Sequence, residues 1–169
     1  MKIFQLICNL IIRRSMPDLF TYYEGELKDF IAEALITKDT LLKRVISTAT
    51  ESLVNDLQDM GITIDETYRH TLDNSAVRHA IKSHGSPKEV LRGQIPITDD
   101  DLMRIPEIVS SYEALTTEKN KRGQDVIIYT KTMDDGITFY VEEIRLGRHE
   151  LAASTMYKRK KDDSPTLID

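Results

Sequence analysis

Three β-rich runs joined by two tight turns constrain this chain more than any other feature. Val126–Met133 reads VIIYTKTM, Ile137–Leu146 reads ITFYVEEIRL and Glu150–Lys158 reads ELAASTMYK. Their density of β-branched and aromatic residues suits strands. Asp134-Asp135-Gly136 has the composition of a hairpin turn, and Gly147-Arg148 marks a second. The runs therefore predict an antiparallel meander of about three strands. Alternation places Ile127, Tyr129, Lys131 and Met133 on one face of the first. On the second it groups Phe139, Val141, Glu143 and Arg145, and on the third Leu151, Ala153, Thr155 and Tyr157.

Upstream the spacing is helical. Ser15-Met16-Pro17-Asp18 suits a helix start, and Leu27, Phe30, Ile31, Ala34 and Leu35 follow at helical intervals. A second helix is expected from Leu41, Val45, Ile46, Ala49, Leu53, Val54 and Leu57, with Gly61 as its C′ glycine. Ile62 to Asp65 reads as an extended connector. Asn74 to His84 predicts a further helix, Ser86-Pro87-Lys88-Glu89 another helical turn, and Thr98 to Asp101 a capped start before Leu102, Ile105 and Val109. Pro106 shortens or kinks that last helix. Helices first and a meander afterwards make an α+β plan: N-terminal helices, then a small antiparallel sheet with a helix packed on it. A boundary near Gly61 to Glu66 divides the chain into an N-terminal helical segment over 1–65 for docking or assembly, an α+β domain over 66–160 and a flexible tail over 161–169.

The 169 residues carry a net charge of −5. That argues against a general DNA coat, which needs a broad basic field. It leaves room for local basic patches at Arg78, Lys82, Lys88 and Arg92, and at Lys158 to Lys161. Cys8 is the only cysteine, so neither an intrachain disulfide nor a thiolate metal cluster is available. The opening MKIFQLICNLIIRR is interrupted by Gln5 and Asn9, lacks a small-residue cleavage site and is too short to span a bilayer. It is expected to pack on the body.

The chemistry concentrates in Asp73 to Lys88, read DNSAVRHAIKSHGSPK. Histidine takes and gives protons near neutral pH, and two histidines beside positive charge suit work on a phosphodiester. On a helix, Val77, Ala80, Ile81 and His84 share an apolar stripe, while His79 lies nearly opposite. A structural role for His84 and a solvated His79 is the competing reading. The His79–His84 spacing is not that of a helical zinc pair, no HExxH occurs, and Asp99 to Asp101 are accounted for as a cap. No metal or other cofactor is expected. Phosphate-loop and GxSxG motifs are absent. Lys131 is a candidate catalytic group from strand facing alone.

The ordered series Val77-Arg78-His79-Ala80-Ile81-Lys82-Ser83-His84-Gly85, Arg92-Gly93-Gln94-Ile95-Pro96-Ile97-Thr98, Asp101 with Ile105 to Val109, and Thr155-Met156-Tyr157-Lys158 gives a family likeness. From about residue 72 to 160 the chain resembles the phage-associated branch of the barnase–EndoU–colicin–RelE-like nucleases. The resemblance implies helices on a small antiparallel sheet and metal-independent RNA cleavage. It also implies a setting in phages or mobile elements, with related domains acting as toxins. His79 and His84 would be the acid/base candidates, and Thr155 and Tyr157 the contacts to the reacting phosphate. Arg92 and Gln94 would form part of the substrate wall or hold the loop before Thr98, and Lys158, closing the motif, would join the substrate-binding residues. Expected partners are an RNA substrate and a protein assembly reached through the N-terminal helices, with no membrane; the expected location is the bacterial host cytoplasm or a virion. The alternative is a non-catalytic virion or mobile-element protein that keeps the fold.

Overall fold

The computed structural model describes residues 20–161. The apolar N-terminal stretch, Cys8, the Ser15 to Asp18 helix start and the tail from residue 162 lie outside the described residues. The elements are β1 (Thr21–Tyr22), α1 (Leu27–Ile36), β2 (Leu42–Thr48), α2 (Glu51–Asp59), β3 (Arg69–Asp73), α3 (Asn74–His84), a 3-10 turn (Pro87–Arg92) and β4 (Gln94–Ile95). Then come α4 (Asp99–Leu102), α5 (Ile105–Ser110), β5 (Ala114–Lys119), β6 (Asp125–Met133), β7 (Gly136–Arg145), a second 3-10 turn (Leu146–Arg148) and β8 (Glu150–Arg159).

The architecture is α+β, with helices packed on an eight-stranded, mostly antiparallel sheet ordered β1-β2-β3-β8-β7-β6-β5, β4 pairing separately with β8. The expected meander is β6-β7-β8, and Asp134-Asp135 is its two-residue hairpin loop, since Met133 pairs with Gly136. One expectation fails upstream. The helix read over Leu41 to Leu57 is β2 followed by α2: Thr50 caps α2 by accepting from the Leu53 amide at 3.2 Å, so the helix starts at Glu51. An apolar series at i, i+4 is ambiguous over so few residues, and the Leu42 to Thr48 run carries its own strand preference. No expectation covers β3, which is joined to β2 antiparallel and to β8 parallel, so strands on both sides of Gly61 to Glu66 share one sheet. Gly61 itself follows α2 at φ +82, the backbone expected of a C′ glycine.

One face of the sheet holds the core. Leu72, Ile127, Tyr129, Tyr140, Ile144, Leu151 and Met156 pack there with Phe30 and Ile31 of α1, Leu53 and Leu57 of α2, Val77 and Ala80 of α3, and Leu102, Ile105 and Ile108. Each fully buried Leu or Ile contributes about 1.5–3 kcal/mol. Under β3 and β7 the core includes a polar knot: Glu142 accepts from Tyr129 Oη at 2.7 Å and Tyr140 Oη at 3.1 Å, and lies 2.9 Å from His70 Nδ1. Burial, reinforced by the Glu142 charge, pushes both phenols well above their ordinary pKa. The opposite face is more polar: Lys43, Thr71, Glu143 and Glu150, then half-buried Val141, Thr155, Phe139 and Tyr157. Among the described residues, no helix is long and apolar enough to cross a membrane.

Candidate active site

The alternation expected for β8 breaks at one residue. Ala153 pairs with Glu142 but Thr155 pairs with Val141, so Ser154 is an extra residue. Such a bulge shifts the phase of the side chains. Leu151 and Ala153 face the core, and Thr155 and Tyr157 turn to the opposite face with Val141 and Phe139. The grouping of all four on one face is thus corrected; those expected for β6 and β7 stand in the observed register. On its other side, β8 pairs with β3 at residues 150–152 and with β4 at Lys158 and Arg159. Helix α3 packs against β8 as it passes from β3 toward β4.

The end of α3 delivers His84 to this edge. Asp73 caps α3 by accepting from the Ala76 amide at 2.8 Å, and Gly85 ends it. A Cβ at Gly85 would stand 2.4 Å from the Ile81 carbonyl oxygen and 3.1 Å from that of Ile97, so the turn closes only around a glycine. The Ile97 amide donates to the His84 carbonyl at 2.7 Å, tying the loop back. His84 Nδ1 lies 3.3 Å from Glu89 Oε2, and Glu89 Oε1 accepts from Arg92 Nη1 at 3.2 Å. Glu89 is buried, whereas the Arg92 side chain is 70% exposed. The His84 ring sits 5.8 Å from that of Tyr157, which stacks on Phe139 at 4.9 Å with 9° between planes. The Arg159 guanidinium lies 5.4 Å and 5.6 Å from those two ring centres. Burial raises the Tyr157 phenol; Arg159 works against the shift and Glu118 adds to it. Gln94 stands opposite Arg159 across the β4–β8 pair. Gln94 Oε1 and Thr155 Oγ1 are both buried and lack a hydrogen-bond partner among the described residues.

Five of the expected site residues, His84, Arg92, Gln94, Thr155 and Tyr157, therefore gather around the C-terminal half of β8. Three do not. His79 is exposed, its Nδ1 3.4 Å from Ser83 Oγ, and about 140° around the helix from His84. Lys131 and Lys158 lie on the other face of the sheet, because Lys131 pairs with Thr138 and Thr138 with Lys158. Lys131 Nζ donates to the Ser111 carbonyl at 2.8 Å. Lys158 is buried between Asp101 at 2.8 Å and Asp135 at 2.5 Å. Asp101 also accepts from the Thr98 amide at 2.8 Å, completing the expected cap. Arg78 is likewise committed, donating to the carbonyls of Ala34 and Thr37 at the end of α1.

A family model for the phage-Barnase-EndoU-ColicinE5/D-RelE like nuclease3 matches residues 48–164. The chain belongs to this family. The match runs from the end of β2 past β8 and includes every residue of the cluster around His84. It also takes in residues 48–71, upstream of the stretch that carried the resemblance. Membership in this nuclease-like family supports a nuclease-like function for the domain. No curated protein and no solved structure matches the chain.

Sequence reasoning assigned no site role to Glu89, read only as part of the Ser86–Glu89 helical turn, or to Phe139, and it placed Arg159 only in a general basic patch. The signal for Glu89 was a carboxylate just across the Ser86-Pro87 turn from His84. The signal for Phe139 and Arg159 is cross-strand register, which a single sequence does not display.

Proposed function

We propose that the domain is a metal-independent endoribonuclease working at the His84–Tyr157 edge. The observation that supports this best is the buried carboxylate of Glu89 against His84 Nδ1. An Nδ1–H donating to Glu89 fixes the ring and leaves Nε2 as its free base, the base-and-orienter arrangement of acid/base sites.

RNA brings its own nucleophile. His84 Nε2 takes the proton of a 2′-OH, the 2′ oxygen attacks the adjacent phosphorus, and the P–O5′ bond breaks. The leaving 5′ oxygen collects a proton from water, and the product is a 2′,3′-cyclic phosphate. Arg92 and Arg159 face the added phosphoryl charge, and the Thr155 hydroxyl and the Tyr157 phenol, kept protonated by burial, supply neutral donors. Phe139 and Tyr157 form a stacking platform for a base. Gln94 has an unpaired acceptor for a base or ribose N–H or O–H.

Purified protein incubated with RNA in chelator tests the proposal. Cleavage that gives cyclic phosphate ends and is lost in His84→Ala is expected. Cleavage that requires added metal, or that persists in His84→Ala, rejects it. A folded protein that cleaves no RNA favours the non-catalytic reading.

A further inference from the structure

The same polar face of the sheet carries a second feature at its other end. A cleft of about 770 Å³ is lined there by Phe20, Leu41, Arg122, Arg145, Leu146 and Arg148, together with Glu143 and Asp125. The arginines are organised rather than scattered. Glu143, nearly buried, accepts from Arg145 Nε at 3.1 Å, Arg122 Nη2 at 3.3 Å and Asn120 Nδ2 at 3.2 Å. Asn120 also ties the β5–β6 loop, accepting from the amides of Arg122 at 2.9 Å and Gln124 at 3.1 Å. One carboxylate thus holds two guanidiniums, one from the β5–β6 loop and one from β7.

Of the other acids, Asp125 binds Lys119 at 2.7 Å and Glu150 Oε1 binds Lys43 at 2.7 Å, while Glu150 Oε2 is buried without a hydrogen-bond partner among the described residues. Arg145 Nη1 forms an ion pair with Glu150 Oε2 at 3.7 Å, beyond hydrogen-bond distance, so its Nη donors make no hydrogen bond among the described residues. Arg148 is exposed and makes no ion pair among the described residues. Phe20, with Lys43 Nζ 3.8 Å from its ring centre, adds an aromatic wall. Convergent guanidinium donors beside an aromatic ring suit phosphate with a neighbouring base.

Phe139 and Arg145 lie on the same face of β7, about 20 Å apart at roughly 3.3 Å per residue. We propose that this arginine cleft is a distal phosphate subsite that holds the single strand of an RNA whose scissile bond lies at His84. The inference rests on the ribonuclease reading and adds a length requirement to it. Substrates reaching both ends of the face bind through Arg122, Arg145 and Arg148, and short ones do not.

The test compares the full chain with an Arg122→Ala/Arg148→Ala variant and with Arg148→Glu, which alters only an exposed, unpaired side chain. Two probes are used: a trinucleotide, and a dodecanucleotide in cleavable form and with 2′-O-methyl groups that block cleavage. For the double variant, binding of the blocked dodecanucleotide weakens on the order of tenfold at low salt. Its salt dependence flattens by about 0.7 per lost phosphate contact. Trinucleotide cleavage stays at the wild-type kcat/KM. Arg148→Glu weakens dodecanucleotide binding without changing the thermal midpoint. Unchanged dodecanucleotide binding in both variants, with His84-dependent cleavage intact, overturns the subsite alone. A wild-type chain that neither binds nor cleaves either RNA overturns the ribonuclease reading and the subsite with it.

Discussion

Glu89 Oε2 lies 3.3 Å from His84 Nδ1, with only 3% of the Glu89 side chain exposed. A carboxylate this enclosed fixes one ring orientation, and its other oxygen is engaged by Arg92. In the ribonuclease reading His84→Ala removes the proton-transfer group, and the expected loss in kcat is about 10²–10⁴-fold. Glu89→Gln keeps the size of the side chain and its contact to Arg92, so the ring loses its charged partner but not its place. The expected loss is smaller, with KM little changed. Equal kcat for Glu89→Gln and wild type removes Glu89 from the scheme as a positioning residue.

Thr155 provides a different separation of roles. Its hydroxyl is buried without a partner, an arrangement that costs about 1–3 kcal/mol when nothing compensates. Thr155→Val keeps the shape and deletes the orphan group. The variant is expected to be at least as stable as wild type in urea and less active on RNA. A clear drop in the urea midpoint would mean that the hydroxyl is bonded in the free protein, and its availability to a phosphate would then fall.

The bulge at Ser154 is set by residue count rather than by the serine side chain, which is exposed. Ser154→Ala is therefore expected to stay within about 0.5 kcal/mol of wild type. Deleting Ser154 leaves Ala153–Glu142 and Thr155–Val141 as consecutive pairs of a regular ladder, with every other β8 side chain on its present face. Circular dichroism and urea titration are expected to show a folded chain. An unfolded deletion variant would contradict the assigned register.

That bulge also marks where the sequence stops being legible. The meander, the α3 helix with its Gly85 end and the Thr98–Asp101 cap are carried by local chemistry, and each is recognisable from adjacent residues. The β2 and β3 strands are not. Lys43 is buried because Glu150 arrives from β8, and His70 because Glu142 arrives from β7; both partners are distant in sequence. Polar residues paired in this way erase the apolar alternation that identifies a strand. At the site, His84, Thr155 and Tyr157 came through the family motif, while Lys131 came from a facing argument that could not tell which face opens. Register with Thr138 settles that face, and β7–β8 register brings Phe139 to Tyr157.

Glu142 gives a stability prediction independent of activity. Its carboxylate serves Tyr129, Tyr140 and His70 inside the core, away from the His84 edge. Glu142→Leu leaves those groups without their acceptor, and the expected cost is about 3–5 kcal/mol by urea denaturation. Removing the partners together with the acid, as Glu142→Leu with Tyr129→Phe and Tyr140→Phe, recovers part of it. A single Glu142→Leu variant within 1 kcal/mol of wild type, a limit well below the roughly 3–5 kcal/mol scale for breaking a buried pair, would show that the knot is not held as described.

The Lys158–Asp135 pair sets a pH signature that is distinct from any histidine titration. The hydrogen bond from Lys158 holds the Asp135 carboxyl below its ordinary 3.8, with burial opposing. For Lys158, burial works to lower the pKa, but hydrogen bonds and charge from Asp101 and Asp135 prevail and raise it above 10.5. A lowered acid contributes stability above its unfolded value and loses it as pH falls through the folded one. A raised base contributes below its unfolded value and loses it as pH rises through the folded one. The stability difference between wild type and Asp135→Asn is thus expected to be flat across neutral pH, to shrink below pH 3.8 and to shrink again above pH 10.5. With the Asp135 side chain 55% exposed, its size is at most about 1 kcal/mol. Urea midpoints measured across that range check it, and a difference that does not shrink as the pH is lowered below 3.8 contradicts the pairing.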